Sequence, residues 1–268
     1  MKAPNASLKL AYAPAAVASM TTLVAAATGA TAQFTPLAPS APSPRHVIPL
    51  VARYTPPPSA RGAPTRVSSG TSRGILGQVS ERTCSASSPS VLVPLAPQTH
   101  VGQTASVQPT LMWYMPEVAA TTIDLSIVEQ GGGDEVLHQI ENKVVERSAS
   151  GIVMLPLAEE GLRLAPDAVY VWQVTLECDS DAESTFEAYL EVVASTDATA
   201  PLSVNAAERA SRYAEEGLWY DALGSAASAE EGVAQQIQRS LLQSLAELEA
   251  EGAPDFSDSL NQVIDGIP

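Results

Sequence analysis

Between residues 90 and 193, apolar and polar positions alternate with a period of two in short runs separated by turn residues. The clearest run follows the turn Leu162-Arg163-Leu164-Ala165-Pro166-Asp167 and extends from Ala168 to Cys178. In it either Tyr170, Trp172, Val174 and Leu176 or their odd-numbered neighbours must line a buried face. Similar runs fall at Val91 to Leu95, Pro109 to Met115 (Leu111, Trp113 and Met115 on one face), Thr122 to Glu129 (Ile123, Leu125, Ile127), Glu135 to Ile140, Gly151 to Leu157 and Ser184 to Val193. Seven short strands with turns between them predict a mainly β fold, an antiparallel sandwich of the immunoglobulin or fibronectin III kind over residues 84–195. The Leu-x-Pro before Tyr170 predicts a corner at which the tyrosine hydroxyl bonds back to upstream backbone, with Trp113 and Trp172 facing each other across the core.

Beyond Val193 the period lengthens. Asn205-Ala206-Ala207-Glu208 reads as a capping box, followed by Ala206, Ala210, Tyr213, Ala214 and Gly217 at helical spacing. Gly217-Leu218-Trp219-Tyr220-Asp221-Ala222-Leu223 is similar to the turn of a tetratricopeptide helix pair, and Val233, Ile237, Leu241, Leu245 and Leu248 form a stripe on a further helix. One repeat and a fraction is too little for a solenoid, which predicts a small helical segment over 203–250 and a tail over 251–268. Tyr213, Trp219 and Tyr220 are of residue types that anchor partners, and they are the candidate partner-binding residues; the same rings also serve as core.

The N-terminal third departs from both patterns. Lys2 and Lys9, the apolar Leu10 to Ala27 and the small residues Ala30-Thr31-Ala32 predict a secretory signal peptide over 1–32, with no membrane span once it is removed. Residues 33–83 are rich in Pro, Ser and Arg, with Pro56-Pro57-Pro58 and little to bury, and predict a disordered arm. Export places the chain in the periplasm or outside the cell. In that oxidising setting Cys84 and Cys178 read as one disulfide, worth about 4 to 5 kcal/mol in the chain-entropy model; two unpaired thiols remain the alternative.

Charge narrows the partners. All thirty acidic residues but only seven of the fourteen basic ones lie from Glu81 onward, a net charge of −23 for that portion. Such a field repels phosphate, so nucleic acid is not an expected partner.

Candidate chemistry is sparse, and no cofactor or metal is expected. Gly70-Thr71-Ser72-Arg73-Gly74 fits G-x-S-x-G, yet no strand precedes it, a cysteine-bearing coil follows where a helix is needed, and the only later histidines are His100 and His138, so Ser72 reads as part of a Gly-rich tether. Asp179, Asp181 and Glu183 alternate after Cys178 as calcium-binding loops do, without the turn glycine or the terminal bidentate Glu of an EF-hand. Glu159 with Glu160, or Glu177 with Glu187, is a possible carboxylate pair of the glycosidase type, as any acidic β protein offers. His46, His100 and His138 make no zinc set.

Several segments in order resemble one family: Arg61-Gly62-Ala63-Pro64 and the Gly/Thr/Arg run after it, Leu95-Ala96-Pro97 leading into Gln108-Pro109-Thr110-Leu111-Met112-Trp113-Tyr114-Met115-Pro116, Tyr170-Val171-Trp172 to Cys178-Asp179, and Glu208-Arg209-Ala210 to Leu223. The chain resembles, over about residues 60 to 250, the mostly cyanobacterial family called domain of unknown function 928. The Val67-Ser68-Ser69-Gly70 stretch holds less glycine than is usual there. The resemblance implies an exported sandwich with a helical tail and implies no activity. The sequence thus names no reaction; it is read as a non-enzymatic exported interaction or structural module with an unidentified protein partner. A secreted hydrolase using a carboxylate pair, or a Ca²⁺- or glycan-binding sandwich, is the alternative.

Overall fold

The long alternating strand decides its own facing: Tyr170, Trp172, Val174 and Leu176 are all buried in the computed structural model, while Gln173 and Thr175 point the other way. The structure describes residues 52–63, 92–115, 121–131, 136–145, 151–177, 183–194 and 205–267. These lie in the compact unit that starts at Val47; the unit Met1–His46 is outside the described residues.

The fold is mostly β with some α. Among the described residues, eight strands run β1 Val93–Pro94, β2 Gly102–Thr104, β3 Thr110–Met115, β4 Thr121–Glu129, β5 Val136–Val145, β6 Gly151–Pro156, β7 Ala168–Glu177 and β8 Glu183–Val192, followed by helices α1 Ala206–Glu215, α2 Trp219–Ala227, α3 Glu231–Glu249 and α4 Pro254–Gly266. One sheet has the order β1-β3-β6 and the other β2-β8-β7-β4-β5. Every pairing is antiparallel except β2 with β8. Trp113 of the first sheet meets Trp172 of the second with ring centroids 6.4 Å apart, and Phe186 stands edge-on to Trp172 at 5.1 Å. Rings packed this way contribute about 0.5 to 1.5 kcal/mol beyond their burial.

The turn into β7 closes as its residues predict. Asp167 adopts φ 59°, a conformation that Asp tolerates better than most side chains, and the Tyr170 hydroxyl accepts the Ala165 N–H at 2.8 Å. The three-residue β2 was not legible in the sequence, because Gly102-Gln103-Thr104 is too short to show a period; its parallel register on Leu190, Glu191 and Val192 is purely tertiary.

The cap of α1 is the one the sequence announces: the Asn205 side chain accepts the Glu208 N–H at 2.9 Å. On α3 the buried face runs through Ala234, Ile237, Leu241, Leu242, Leu245, Ala246 and Glu249, while Val233 and Leu248 of the predicted stripe are exposed. The face is turned toward α4, which the sequence reading missed. The expected tail is a helix with Pro254 in its first turn and Leu260 and Val263 buried. The Ser257 hydroxyl donates to the Ala246 carbonyl at 2.8 Å, and Arg239 Nη2 donates to the Ile267 carbonyl at 2.6 Å.

The arm needs a larger correction. Residues 52–63, expected to be disordered, form a strap across the helices: Ala52 and Tyr54 are buried, the Tyr54 N–H donates to Ser244 Oγ at 3.0 Å, the Thr55 N–H to the Ala214 carbonyl at 3.1 Å, and Ser240 Oγ to the Ala52 carbonyl at 2.9 Å. Composition misleads here because two apolar side chains suffice when a preformed groove receives them. The remaining arm and signal-peptide residues lie outside the described set, as do Ser72, Cys84 and Cys178 with its proposed disulfide.

Gly217 shows what the strap demands. At φ +80° it ends α1, and a Cβ there would stand 2.5 Å from Pro57 Cδ. The glycine stands in the turn between α1 and α2, and its close neighbour is the strap. Gly217→Ala is expected to lose about 2 kcal/mol, from left-handed strain and displacement of Pro57. Urea denaturation tests this, and a loss under 0.5 kcal/mol would mean that Pro57 is not seated there.

Candidate functional site

Trp219-Tyr220-Asp221 opens α2, and each of the three side chains reaches a different part of the β structure. Trp219 Nε1 donates to the Leu95 carbonyl after β1 at 2.8 Å. The Tyr220 hydroxyl donates to the Tyr189 carbonyl of β8 at 2.9 Å and accepts Trp172 Nε1 of β7 at 3.0 Å. Asp221 accepts the Ala105 N–H after β2 at 2.8 Å and a bond from the Thr104 side chain. Tyr220 fits only because position 102 is glycine: a Cβ there would lie 2.9 Å from its ring. Burial raises the Tyr220 phenol far above its ordinary range, and burial also holds the Asp221 carboxyl above the usual carboxylate value.

This placement corrects the partner-binding reading. Trp219 and Tyr220 are fully used inside the molecule, and Tyr213 is half-buried against the same core. Trp219 and Tyr220 therefore present no free ring face or polar atom to a partner, because both are buried and their polar atoms are bonded inside the molecule.

A second buried cluster joins the strap, the loop after β1 and the end of α3. Tyr54 (2% exposed), His100 (9%) and Glu249 (0%) have no spacing that the sequence could reveal. Glu249 Oε1 accepts the Gln98 N–H at 3.0 Å and the Thr99 hydroxyl at 3.1 Å, and Oε2 accepts the Thr99 N–H at 3.0 Å. Three donors converging on one carboxylate favour its ionised form, although burial pushes its pKa up. With the Thr99 hydrogen committed to Glu249, the 3.3 Å contact from His100 Nδ1 to Thr99 Oγ1 requires an Nδ1–H. Nε2 is then bare and accepts the Tyr54 hydroxyl at 2.9 Å. The result is a one-way relay from Tyr54 through His100 and Thr99 to Glu249. Burial lowers the His100 pKa to about 4, so the ring is neutral near pH 7 and a poor general base. The arrangement holds three segments together, and it offers substrate no approach to Tyr54.

The sequence-predicted carboxylate pairs fall at two places in the fold. Glu177 sits opposite Glu183 and Glu187 opposite Gln173, so Glu177 and Glu187 stand four residues apart along the ladder, about 13 Å at the strand rise. Glu159 and Glu160 are adjacent in the turn after β6, where Glu160 faces His138 Nε2 at 3.9 Å. Asp179 and Asp181, and the Glu183 side chain, lie outside the described residues. Among the described residues no three His, Cys, Asp or Glu side chains gather to hold a metal, and no helix is long and apolar enough to cross a membrane.

Besides Val233 and Leu248 of α3, the exposed large apolar residues among the described ones lie on sheet edges. β5 is an edge of the five-stranded sheet, with Val136 47% and Leu137 39% exposed; β6 is an edge of the other sheet, with Met154 50% exposed. The β4–β5 register slips twice, each time with the extra residue on β5, and Leu137 is the second of these. Among the described residues nothing pairs with the outer side of β5.

Residues 68–251 match the model of a family described as Domain of Unknown Function (DUF928). The matched stretch excludes both the strap and α4. No curated protein matches the chain. Among solved structures, a family 76 glycoside hydrolase from a bovine Bacteroides thetaiotaomicron strain overlaps at 13% identity and a TM-score of 0.24, over 38% of this chain and 20% of that chain. A likeness that slight carries neither fold nor activity.

The buried Trp172–Tyr220 bond makes a quantitative expectation. Tyr220→Phe strands the Trp172 N–H and the Tyr189 carbonyl and should lower stability by about 2 to 3 kcal/mol. Trp172→Phe should cost about as much through the lost donor and the volume it leaves. The double variant should fall short of the sum by about 1 kcal/mol or more in a denaturation cycle; strict additivity would show that the bond is not made.

Proposed function

Because the chain belongs to the family described as Domain of Unknown Function (DUF928), no reaction comes with its membership, and we propose that it is a non-enzymatic protein-interaction or structural module exported to the periplasm or beyond the cell. The observation that carries the reading is the outer edge of β5, where Val136 and Leu137 expose apolar surface beside a row of main-chain groups with no described partner. Edges of this kind take an added strand: main-chain bonds supply affinity and alternate side chains supply selection. The occupant that fits is an extended segment of a partner protein, apolar where it meets Val136 and Leu137 and basic around them, because the portion of the chain from Glu81 onward carries a net charge of −23.

Export rests on the Lys2 to Ala32 leader, and the pairing of Cys84 with Cys178 belongs to the same reading. We read the two sheets as an immunoglobulin-like sandwich, a view supported by the Tyr170 corner and the facing Trp113 and Trp172, with the parallel β2 as a departure. The α1–α2 pair is read as a tetratricopeptide-like hairpin.

Leu137→Glu leaves the core untouched and should alter stability by no more than about 0.5 kcal/mol. Cross-linking of the full chain in its host's extracytoplasmic fraction should give an adduct through β5, confirmed by mapping the linked peptide. Leu137→Glu should weaken that adduct at least about tenfold. Adducts that map elsewhere and ignore the substitution would overturn the edge as the site. Substrate turnover by the purified chain would overturn the non-enzymatic reading.

A further inference from the structure

The strap is the one described segment that reaches the helices from far away in sequence and is held by a titratable ring. It lies on α1 through Thr55 and Pro57, on α3 through Ala52 and Tyr54, and on the loop after β1 through Arg61 and Ala63. Most of these contacts are main-chain bonds that do not respond to pH between 4 and 8. Apart from the ion pairs of Arg53 and Arg61, the contact among the described residues that involves a titratable group is the Tyr54 hydroxyl, which ends on His100 Nε2 at 2.9 Å.

We propose that the strap is an acid-released latch, closed by the hydrogen bond that Tyr54 gives to a neutral His100 and opened when that imidazole takes up a proton. Protonation places a hydrogen on Nε2, the atom that accepts from Tyr54. The phenol must then turn its oxygen to the ring, which leaves its own hydrogen without an acceptor in a buried site. The new positive charge also sits under the strap with little water. Lifting the strap removes Tyr54 and the Gly62 bridge from over His100, so the imidazolium becomes hydrated.

The neighbouring groups leave this assignment intact. Among the described residues, Glu249 of α3, 3.9 Å from Nδ1, is the one carboxylate facing the ring. Its donors are Gln98 and Thr99, which belong to the loop and not to the strap, and burial raises its pKa. Tyr220 of α2 stands behind Tyr54 and stays neutral throughout the range, its phenol raised by burial. Arg61 on the strap is paired with Glu191 of β8 at 3.3 Å, and Arg53 with Glu247 at 3.6 Å in the open.

The sign follows from linkage. In the closed state burial holds His100 at about 4, against an ordinary 6.5, so between those values the open state binds more protons. The closed form is therefore fully favoured above pH 6.5 and loses ground as the pH falls. The ratio of open to closed rises about 20-fold by pH 5 and about 120-fold by pH 4 relative to neutrality. The inference goes beyond the interaction reading and stands whether or not β5 takes a partner.

Hydrogen exchange on the full chain tests it, with each rate divided by its intrinsic value. Between pH 7 and pH 4 the amides of Tyr54, Thr55 and Ala63 should lose about a hundredfold of protection, while those of Tyr170 to Leu176 keep theirs. His100→Gln should abolish the pH dependence of strap protection. At pH 7, nitrogen chemical shifts should show His100 protonated on Nδ1 and bare on Nε2, a readout that survives even if the variant fails to fold. Constant strap protection, simultaneous loss in β7, an unchanged pH response in His100→Gln, or the opposite tautomer would each overturn the latch.

Discussion

The hydrogen-bonded seat of α2 on the β structure is the constraint on which the rest depends. Trp219, Tyr220 and Asp221 occupy consecutive positions, so the first turn of one helix fixes the segment after β1, the loop after β2 and the middle of β7 and β8 at once. Each of these bonds is buried or half-buried, where a broken partner costs far more than an intact bond contributes. That asymmetry makes the seat specific. A helix displaced by one residue would leave the Leu95 and Tyr189 carbonyls and the Trp172 N–H unpaired together.

Once α2 is seated, the other helices and the strap have a surface to build on. Tyr54 packs edge-on against Trp219 with ring centroids 4.9 Å apart and stacks on His100 at 5.8 Å. It thereby extends the α2 seat toward the N-terminal side of the chain. Glu249 does the same from the C-terminal side, receiving the loop that carries His100. The family-matched stretch, 68–251, therefore contains the seat but neither the strap that covers it nor α4, which completes the α3 face. Both outer segments bury side chains that the core needs, such as Tyr54, Leu260 and Val263.

The same arrangement separates packing from function. Rings of the types that mark interfaces, Trp219 and Tyr220, are consumed internally, while modest aliphatic residues at the β5 and β6 edges remain exposed. Residue type alone could not make that distinction, since a tyrosine with one polar tip serves a buried carbonyl as well as a partner.

What the sequence by itself determined was local. The strands from β3 to β8, the corner at Tyr170 and the Asn205 cap all follow from residues within a few positions of one another, or from a period of two that survives without context. The tertiary structure decided the rest. β2 takes its place by a parallel register on β8; the strap has order because a groove exists to receive Ala52 and Tyr54; and the Tyr54–His100–Thr99–Glu249 relay joins residues up to 195 positions apart. The tail showed apolar residues at helical spacing, Phe256, Leu260, Val263 and Ile267, yet only the α3 face made them a buried helix. Periodicity reports which side of an element is apolar, whereas long-range partners are selected by shape and by the cost of leaving buried polar groups unpaired, and neither is written in any short stretch of chain.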